Sequence, residues 1–594
     1  NVAVGNLTLD SLTEGDSNTA IGYNAGSALT TGSTNTAIGN NAMYEGAVTG
    51  NFNVAVGTSS LRKLTSGESN LAYGVNSLES LTTGVRNIAL GQSSSTGYDA
   101  ENDNLSIGHN ALSGSVAGGE FNVAIGNYAL DALTSGDNNV AIGYDAGGAL
   151  STGSDNTIIG FDAGSNAAIT GSGNTVVGKV AGYALNSGHS NVLIGRHAGS
   201  AITEGTLNTI VGYGAGDNWD TESNNTAIGR LALSGGVAGG EYNVSVGNNT
   251  LDALTSADYN TAIGYNAGTA LTTGGSNVFV GAGSAELGVV TGTSNVGVGY
   301  EALKDLTSAT RATAVGMRAL QNLTTGSATI GIGGNAGEGI TTGGSNICIG
   351  DQAGATFDTE TDNMFIGANA GNGPISGGEN NVAIGNNTLD ALTSGDNNVT
   401  IGYGAGSAIT SGGFNTLVGR SAGEDMVSNR LTAVGYFAGA NTTGNLNNFF
   451  GFNCGSGNTT GASNVAMGYN AYYQPDTETH NLAIGNDALS GAIDGGEYNV
   501  AIGNLTLDAL TSADANVAVG YQAGSGITTG GSNSFVGYQA GIADTTGYSN
   551  TFMGQGAGKA VTTGFSNVLI GANAAESNSV DLTTGDQNTL VGRN

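Results

Sequence analysis

A phrase of the form Asn-x-Ala-(Ile/Val)-Gly returns thirty-five times in these 594 residues, almost always at a step of 17 or 18. It opens as Asn1-Val-Ala-Val-Gly5, recurs from Asn18, Asn35, Asn53 and Asn70, and closes as Asn588-Thr-Leu-Val-Gly592. The fifth position is Gly in every copy. The first is Asn in all but three, where Ala312, Thr329 and Leu431 stand instead. A unit this short cannot bury a core alone, so it must stack on its neighbours. Length alone would suggest about four globular domains. The repeat overrides that and predicts one continuous solenoid over 1–594.

Each coil is numbered here from its Asn. The Asn18 coil reads Asn-Thr-Ala-Ile-Gly-Tyr-Asn-Ala-Gly-Ser-Ala-Leu-Thr-Thr-Gly-Ser-Thr and ends at Thr34. Gly recurs at positions 5 and 15 and often at 9, which would break any helix of this period. Two short strands are expected, one over roughly positions 1–4 and one near 11–14. Gly at 5 and 15 would mark corners where a Cβ clashes or φ must be positive. The predicted fold is all-β, a parallel β-solenoid (β-roll) of about 35 coils of 17–18 residues. Stacked at ~4.8 Å, the coils would make continuous parallel sheets and a shaft of roughly 165 Å.

Position 4 is apolar in every copy, so Ile21, Ile38, Ile125 and Ile263, with Leu29 from position 12, are expected to fill the coil core. Neighbouring strand residues face opposite sides. Position 3, which holds Ala20, Ala124, Ile158, Leu193, Phe279, Phe365 and Phe535, is then expected to point outward. An apolar ladder of that length is too large a patch to leave in water, so it is expected to pack against other copies of the chain. Cys348 and Cys454 replace small apolar residues at positions 3 and 8 and read as structural. The Asn of position 1, as at Asn18, Asn35, Asn122, Asn139, Asn243 and Asn260, is expected to form an amide ladder along the stack. Tyr is frequent at position 6, for example Tyr23, Tyr144 and Tyr213. It is expected outside, covering the corner, with a ladder for glycan or surface contact as the functional alternative.

Larger blocks begin near 1, 122, 243, 381 and 499, and the last four follow a Gly-Gly-Glu turn that carries Glu120, Glu241, Glu379 or Glu497. Such duplication suits a spacer selected for length. Acidic loops precede three of these blocks, at Asp217 to Glu222, Asp358 to Asp362 and Asp476 to Glu478. Hard cations take oxygen ligands, which makes calcium a candidate there. The calcium-binding nonapeptide is missing, so solvated charge is the expectation. The step falls to 16 around Leu431 and Asn447 and rises to 21 before Asn588.

Composition narrows the function. Formal net charge is −33, from 46 acidic and 13 basic residues, which argues against nucleic acid and anionic membranes as partners. Two cysteines exclude a disulfide framework. There is no apolar run of membrane-spanning length, no signal peptide and no lipidation motif. The chain starts and ends inside a repeat and reads as a fragment, so any export signal or anchor is expected outside it. His109, His189, His197 and His480 are scattered over different coils, away from carboxylate or Cys neighbours at ligand spacing. No catalytic constellation, metal site or cofactor motif is expected, and the chain is not expected to be an enzyme.

The phrase Asn-Thr-Ala-Ile-Gly with a following Ala-Gly and Thr-Thr-Gly resembles the head repeats of trimeric autotransporter adhesins (YadA-like heads). It is also similar to repeat shafts of bacterial and phage tail-fibre proteins. The resemblance covers essentially the whole chain. It implies a left-handed β-roll, three associating chains, an extracellular place at a cell or virion surface, and a host or matrix surface as target. The family repeat is shorter than this one, which leaves the cross-section and chain number open. The expectation is an extracellular adhesive or attachment fibre shaft, homo-oligomeric and most simply trimeric, with glycan, host or matrix surfaces as possible partners. A phage tail-fibre shaft is the alternative, with an ice-binding solenoid behind it.

Overall fold

The structure, a computed structural model, describes residues 1–115, 117–236, 239–576 and 583–593. It is an all-β parallel solenoid with thirty-five three-residue strands, β1 (Val2–Val4) to β35 (Thr589–Val591). Two units divide the chain. Asn1–Asn295 carries seventeen strands, ending in β17 (Val278–Val280), and Val296–Asn594 carries eighteen, beginning with β18 (Val296–Val298).

Each strand occupies positions 2–4 of its coil and, within each unit, pairs in register with the next coil. Ala20 lies beside Ala3 on one side and Ala37 on the other. Only one strand forms per coil, where two were expected. Positions 11–14 contribute isolated bridges alone, Leu29 to Val48, Leu150 to Ile169 and Leu271 to Val290. The reason is curvature. Positions 7, 9 and 17 take positive φ in most coils (Asn24 +53°, Gly26 +59°, Thr34 +60° in the Asn18 coil), so the chain keeps turning where a second strand would need to extend. Coil-to-coil bonding persists there without a strand, as in the Thr13 N–H donated to the Thr30 carbonyl at 2.8 Å.

The Gly of position 5 is required twice over. Its φ is near +138° (Gly5), and a Cβ on Gly5 would lie 2.2 Å from the Gly22 carbonyl oxygen of the next coil.

The interior has its own rule. Position 3 is buried in every strand except the terminal β1 and β35, and its side chain shares the coil interior with positions 8, 9 and 12. Where position 3 is large, position 9 is small: Ile158 with Gly164, Leu193 with Gly199, Phe365 with Gly371, Phe535 with Gly541. Where position 9 is large, position 3 is small: Ala72 with Leu78, Ala124 with Leu130, Ala466 with Tyr472. A Cβ added at Gly371 would fall 2.7 Å from the Phe365 ring. The cross-section thus holds one large side chain at this level, contributed from either wall.

Asn at position 1 fastens the coils. Asn18 Nδ2 donates to the Gly32 carbonyl of its own coil at 2.8 Å, while its Oδ1 accepts the Asn35 N–H of the next coil at 2.8 Å. The pattern repeats at Asn122 and Asn139 and again at Asn243 and Asn260. Each side chain closes one coil and joins it to its neighbour, with little polar capacity left unpaired.

Candidate interaction surface

Because the Asn side chain works inside the coil, residue parity places position 3 inside with it and positions 2 and 4 outside. This reverses the two faces expected from sequence. Ala20, Ala124, Leu193, Phe279, Phe365 and Phe535 are fully buried and Ile158 is 1% exposed, so they line the coil interior and form no inter-chain face. Ile21 and Ile263 are exposed at 40% and 41%, Ile38 and Ile125 are half-buried, and all four face outward. Leu29, from position 12, is buried as expected.

The outward face is therefore two columns of side chains along the strands. Position 2 is mostly Val or Thr, and position 4 is mostly Ile or Val. No strand carries a charged residue at either position. In the first unit the position-4 column includes Ile21, Ile142, Ile194 and Ile228; in the second it includes Val315, Ile332, Ile401 and Met467. None of the position-4 side chains is buried. Paired β-branched residues in register give each column a flat, regular profile.

Position 6 lies next to this face and carries rings that stack from coil to coil. Tyr144 and Phe161 are 5.3 Å apart at 16°, Tyr521 and Tyr538 5.5 Å apart at 19°. A five-coil run is Tyr403, Arg420, Tyr436, Phe452 and Tyr469. The Arg420 guanidinium lies 5.6 Å from the Tyr403 centroid and 5.8 Å from that of Tyr436, and the next two ring pairs stack at 5.1 and 5.2 Å. Stacked rings spend their faces on each other, leaving edges and hydroxyls to solvent, which weakens the idea of a sugar-stacking ladder at this position.

One glutamate in each acidic loop proves to be structural, while Asp220, Asp358, Asp362 and Asp476 are exposed as expected. Glu222, Glu360 and Glu478, with Glu101 in the same role, occupy position 15, each in the coil before an 18-residue coil, and are 5% exposed or less. Glu478 Oε2 accepts the N–H groups of Asp476 at 2.8 Å and Thr477 at 3.1 Å, and its Oε1 accepts that of Gly495 in the next coil at 2.9 Å. Glu101, Glu222 and Glu360 hold Gly118, Gly239 and Gly377 in the same way. These carboxylates are neither solvated nor free for a cation, because backbone N–H groups take their lone pairs. Sequence reasoning missed them. Their spacing, one coil before each Gly-Gly-Glu, was the available signal.

Among the described residues, no group of three or more His, Cys, Asp or Glu side chains able to hold a metal forms, and no helix is long and apolar enough to cross a membrane. The His480 ring stacks on Tyr498 at 4.9 Å, and that of His109 lies 5.4 Å from Tyr128. Burial pushes the Cys348 and Cys454 thiols up to about 12, which leaves both as unreactive packing groups at neutral pH. Comparison with known protein families finds none that matches this chain, and comparison with curated proteins finds no match either.

Proposed function

We propose that this chain is a shaft segment of an extracellular structural fibre, part of an attachment appendage at a cell or virion surface, in which copies associate side by side through the outward strand face. The observation that carries this is the pair of uncharged columns at positions 2 and 4 in a chain of net charge −33. A lone soluble solenoid gains nothing by keeping charge off one face for so many coils, and an exposed apolar strip of this length favours burial. If each coil offers on the order of 100 Å², a seventeen-strand unit presents roughly 1,700 Å², about twice what one partner buries in a standard interface. Three copies is the number that the resemblance to autotransporter heads suggests.

Sedimentation equilibrium on the whole chain tests this. The expected result is a small discrete oligomer for the native chain and a monomer for the Ile142→Lys/Ile194→Lys variant, whose side chains are already 37% exposed and not needed inside. A native chain that stays monomeric at micromolar concentration removes the association. One observation favours a second reading in that event: Thr19, Thr36, Thr157 and Thr175 stand in the position-2 column of the same flat face, as an ice-binding surface would require. Thermal hysteresis by the monomer would support it.

A further inference from the structure

We infer that a recess in the second unit, walled by Asn441, Ser456, Gly457, Tyr473 and Gln474, binds a neutral saccharide. The recess measures about 310 Å³, at the lower end of ligand-sized clefts. It lies at positions 10 and 11 of three successive coils, beginning at Leu431, Asn447 and Asn464.

This stretch is also where the repeat departs most from its own rule. The coils from Asn415 and Leu431 are one residue short, and Leu431 displaces the ladder Asn. Position 12, apolar in most coils, becomes Thr442 and Asn458. Both are fully buried, with Thr442 Oγ1 and Asn458 Oδ1 unpaired, and they directly follow Asn441 and Gly457 of the recess wall. Selection for stacking alone would favour restoring Leu at these positions. Thr442 and Asn458 point into the coil and do not line the recess; they mark this as the stretch whose composition departs from the stacking rule.

The lining fits a polyol. It holds no charged side chain, and the adjoining coil carries Glu424 and Asp425 at positions 10 and 11, which repels anions. Asn441 Nδ2 is engaged, donating to the Ser456 carbonyl at 2.7 Å, and its Oδ1 is left as an acceptor. The Gln474 amide and Ser456 hydroxyl supply donors and acceptors for sugar hydroxyls. Gly457 forms a low floor, where a Cβ would lie 2.5 Å from the Tyr473 carbonyl oxygen. Unlike the stacked rings of position 6, the Tyr473 ring has no ring partner among the described residues. At 36% exposure it has ring surface free for the C–H face of a pyranose.

Saturation-transfer NMR on the full chain with maltose, lactose, cellobiose and chitobiose tests the site. At least one should receive saturation, with a Kd on the order of 1 mM. Tyr473→Ala and Gln474→Ala, both at exposed side chains, should each weaken that transfer at least several-fold. Tyr183→Ala, an exposed position-10 tyrosine of the first unit, should leave it unchanged. No transfer to any of the four sugars, unchanged transfer in Tyr473→Ala, or equal loss in Tyr183→Ala would each overturn the inference. None of these outcomes bears on side-by-side association, which is read by sedimentation.

Discussion

The coils from Asn156 to Asn208 and those from Asn415 to Asn464 share one backbone plan but fill it differently. In the first stretch, Ile169 (position 14 of its 18-residue coil) and Leu185, Ile202 and Trp219 (position 12) fill the interior with Trp219 Nε1 as a buried unpaired atom, position 9 is always Gly, and position 3 is Ile158, Val176, Leu193 or Ile210. In the second, position 12 runs Met426, Thr442, Asn458 and Pro475, and Ser428, Thr442 and Asn458 each leave a buried polar atom unpaired. Coil-to-coil pairing continues through both. The ladder of backbone bonds therefore tolerates a poor interior, and stability varies along the stack with what the interior holds. In a solenoid such differences stay local, because each coil touches mainly its neighbours.

The largest expected effect comes from breaking the volume rule in the well-filled stretch. Gly199→Leu places a Cβ 2.9 Å from both Leu193 Cδ2 and Ile202 Cδ1. Positive φ is not the obstacle, since Leu130 holds the same coil position at +53°. Overpacking of this kind costs about 3 kcal/mol. Hydrogen exchange should show accelerated opening of the coils around Asn191. The double variant Leu193→Ala/Gly199→Leu recreates the Ala124 and Leu130 pairing and should recover most of the protection. No recovery would mean that the exchange of volume between positions 3 and 9 is coincidental.

Next in size is the ladder. Asn191→Ala strands the Gly205 carbonyl, bonded at 2.8 Å, and the Asn208 N–H, bonded at 3.0 Å, both at buried positions. About 2 kcal/mol of local stability should go, read by the same exchange measurement. In the other stretch part of that loss already exists, because Leu431 stands where the Asn would be and cannot accept the Asn447 N–H, although Asn447 Nδ2 donates to the Gly444 carbonyl at 3.0 Å. Protection there should be lower in the native chain, and Asn191→Ala should bring the first stretch toward it.

These comparisons also show what the sequence made legible. Period, parallel stacking and the Gly5 corner could be read directly, because a short repeat has few ways to stack and only Gly fits so close to the next carbonyl. The coil faces could not be read from hydrophobicity, since positions 3 and 4 are both apolar. The deciding signal was polar: Asn must reach a carbonyl inside its own coil, and parity then carries Ala20 inward and Ile21 outward. The size exchange between positions 3 and 9, as at Phe365 and Gly371, pointed the same way. The second strand was overestimated because left-handed residues such as Asn24 and Thr34 are not conspicuous in composition. The clasping role of Glu478 depended on where a loop from the next coil would fall, and no local pattern supplies that.

Asp544 extends the comparison to a polar position 12 that is hydrogen-bonded. Its Oδ1 accepts the Gly547 N–H at 2.8 Å and its Oδ2 the Asn550 amide at 3.1 Å, yet burial raises its carboxyl to about 7. A raised carboxyl holds its proton longer folded than unfolded. Its contribution is therefore fully present below about pH 4 and is lost as pH rises to and through about 7. Local protection around the Asn533 coil should fall by roughly 3 kcal/mol from pH 4.5 to pH 8. Asp544→Asn should flatten this profile. A native profile that is flat, or that rises with pH, would show the carboxylate to be better accommodated than its burial implies.

The smallest expected effect separates orphaned from paired polar atoms most directly. Thr442→Val removes a hydroxyl with no partner while keeping the shape of the side chain, so the coil from Leu431 should gain up to about 1 kcal/mol. Thr506 is equally buried, but its hydroxyl has the Gly503 and Gly520 carbonyl oxygens at 2.7 and 2.9 Å as acceptors for its one proton. Thr506→Val should therefore lose about 1 kcal/mol from its own coil. Opposite signs for one substitution in two coils would place the weakness of the irregular stretch in its interior chemistry. A loss at Thr442 as well would mean that its hydroxyl bonds to ordered water, and that this stretch is hydrated rather than underpacked.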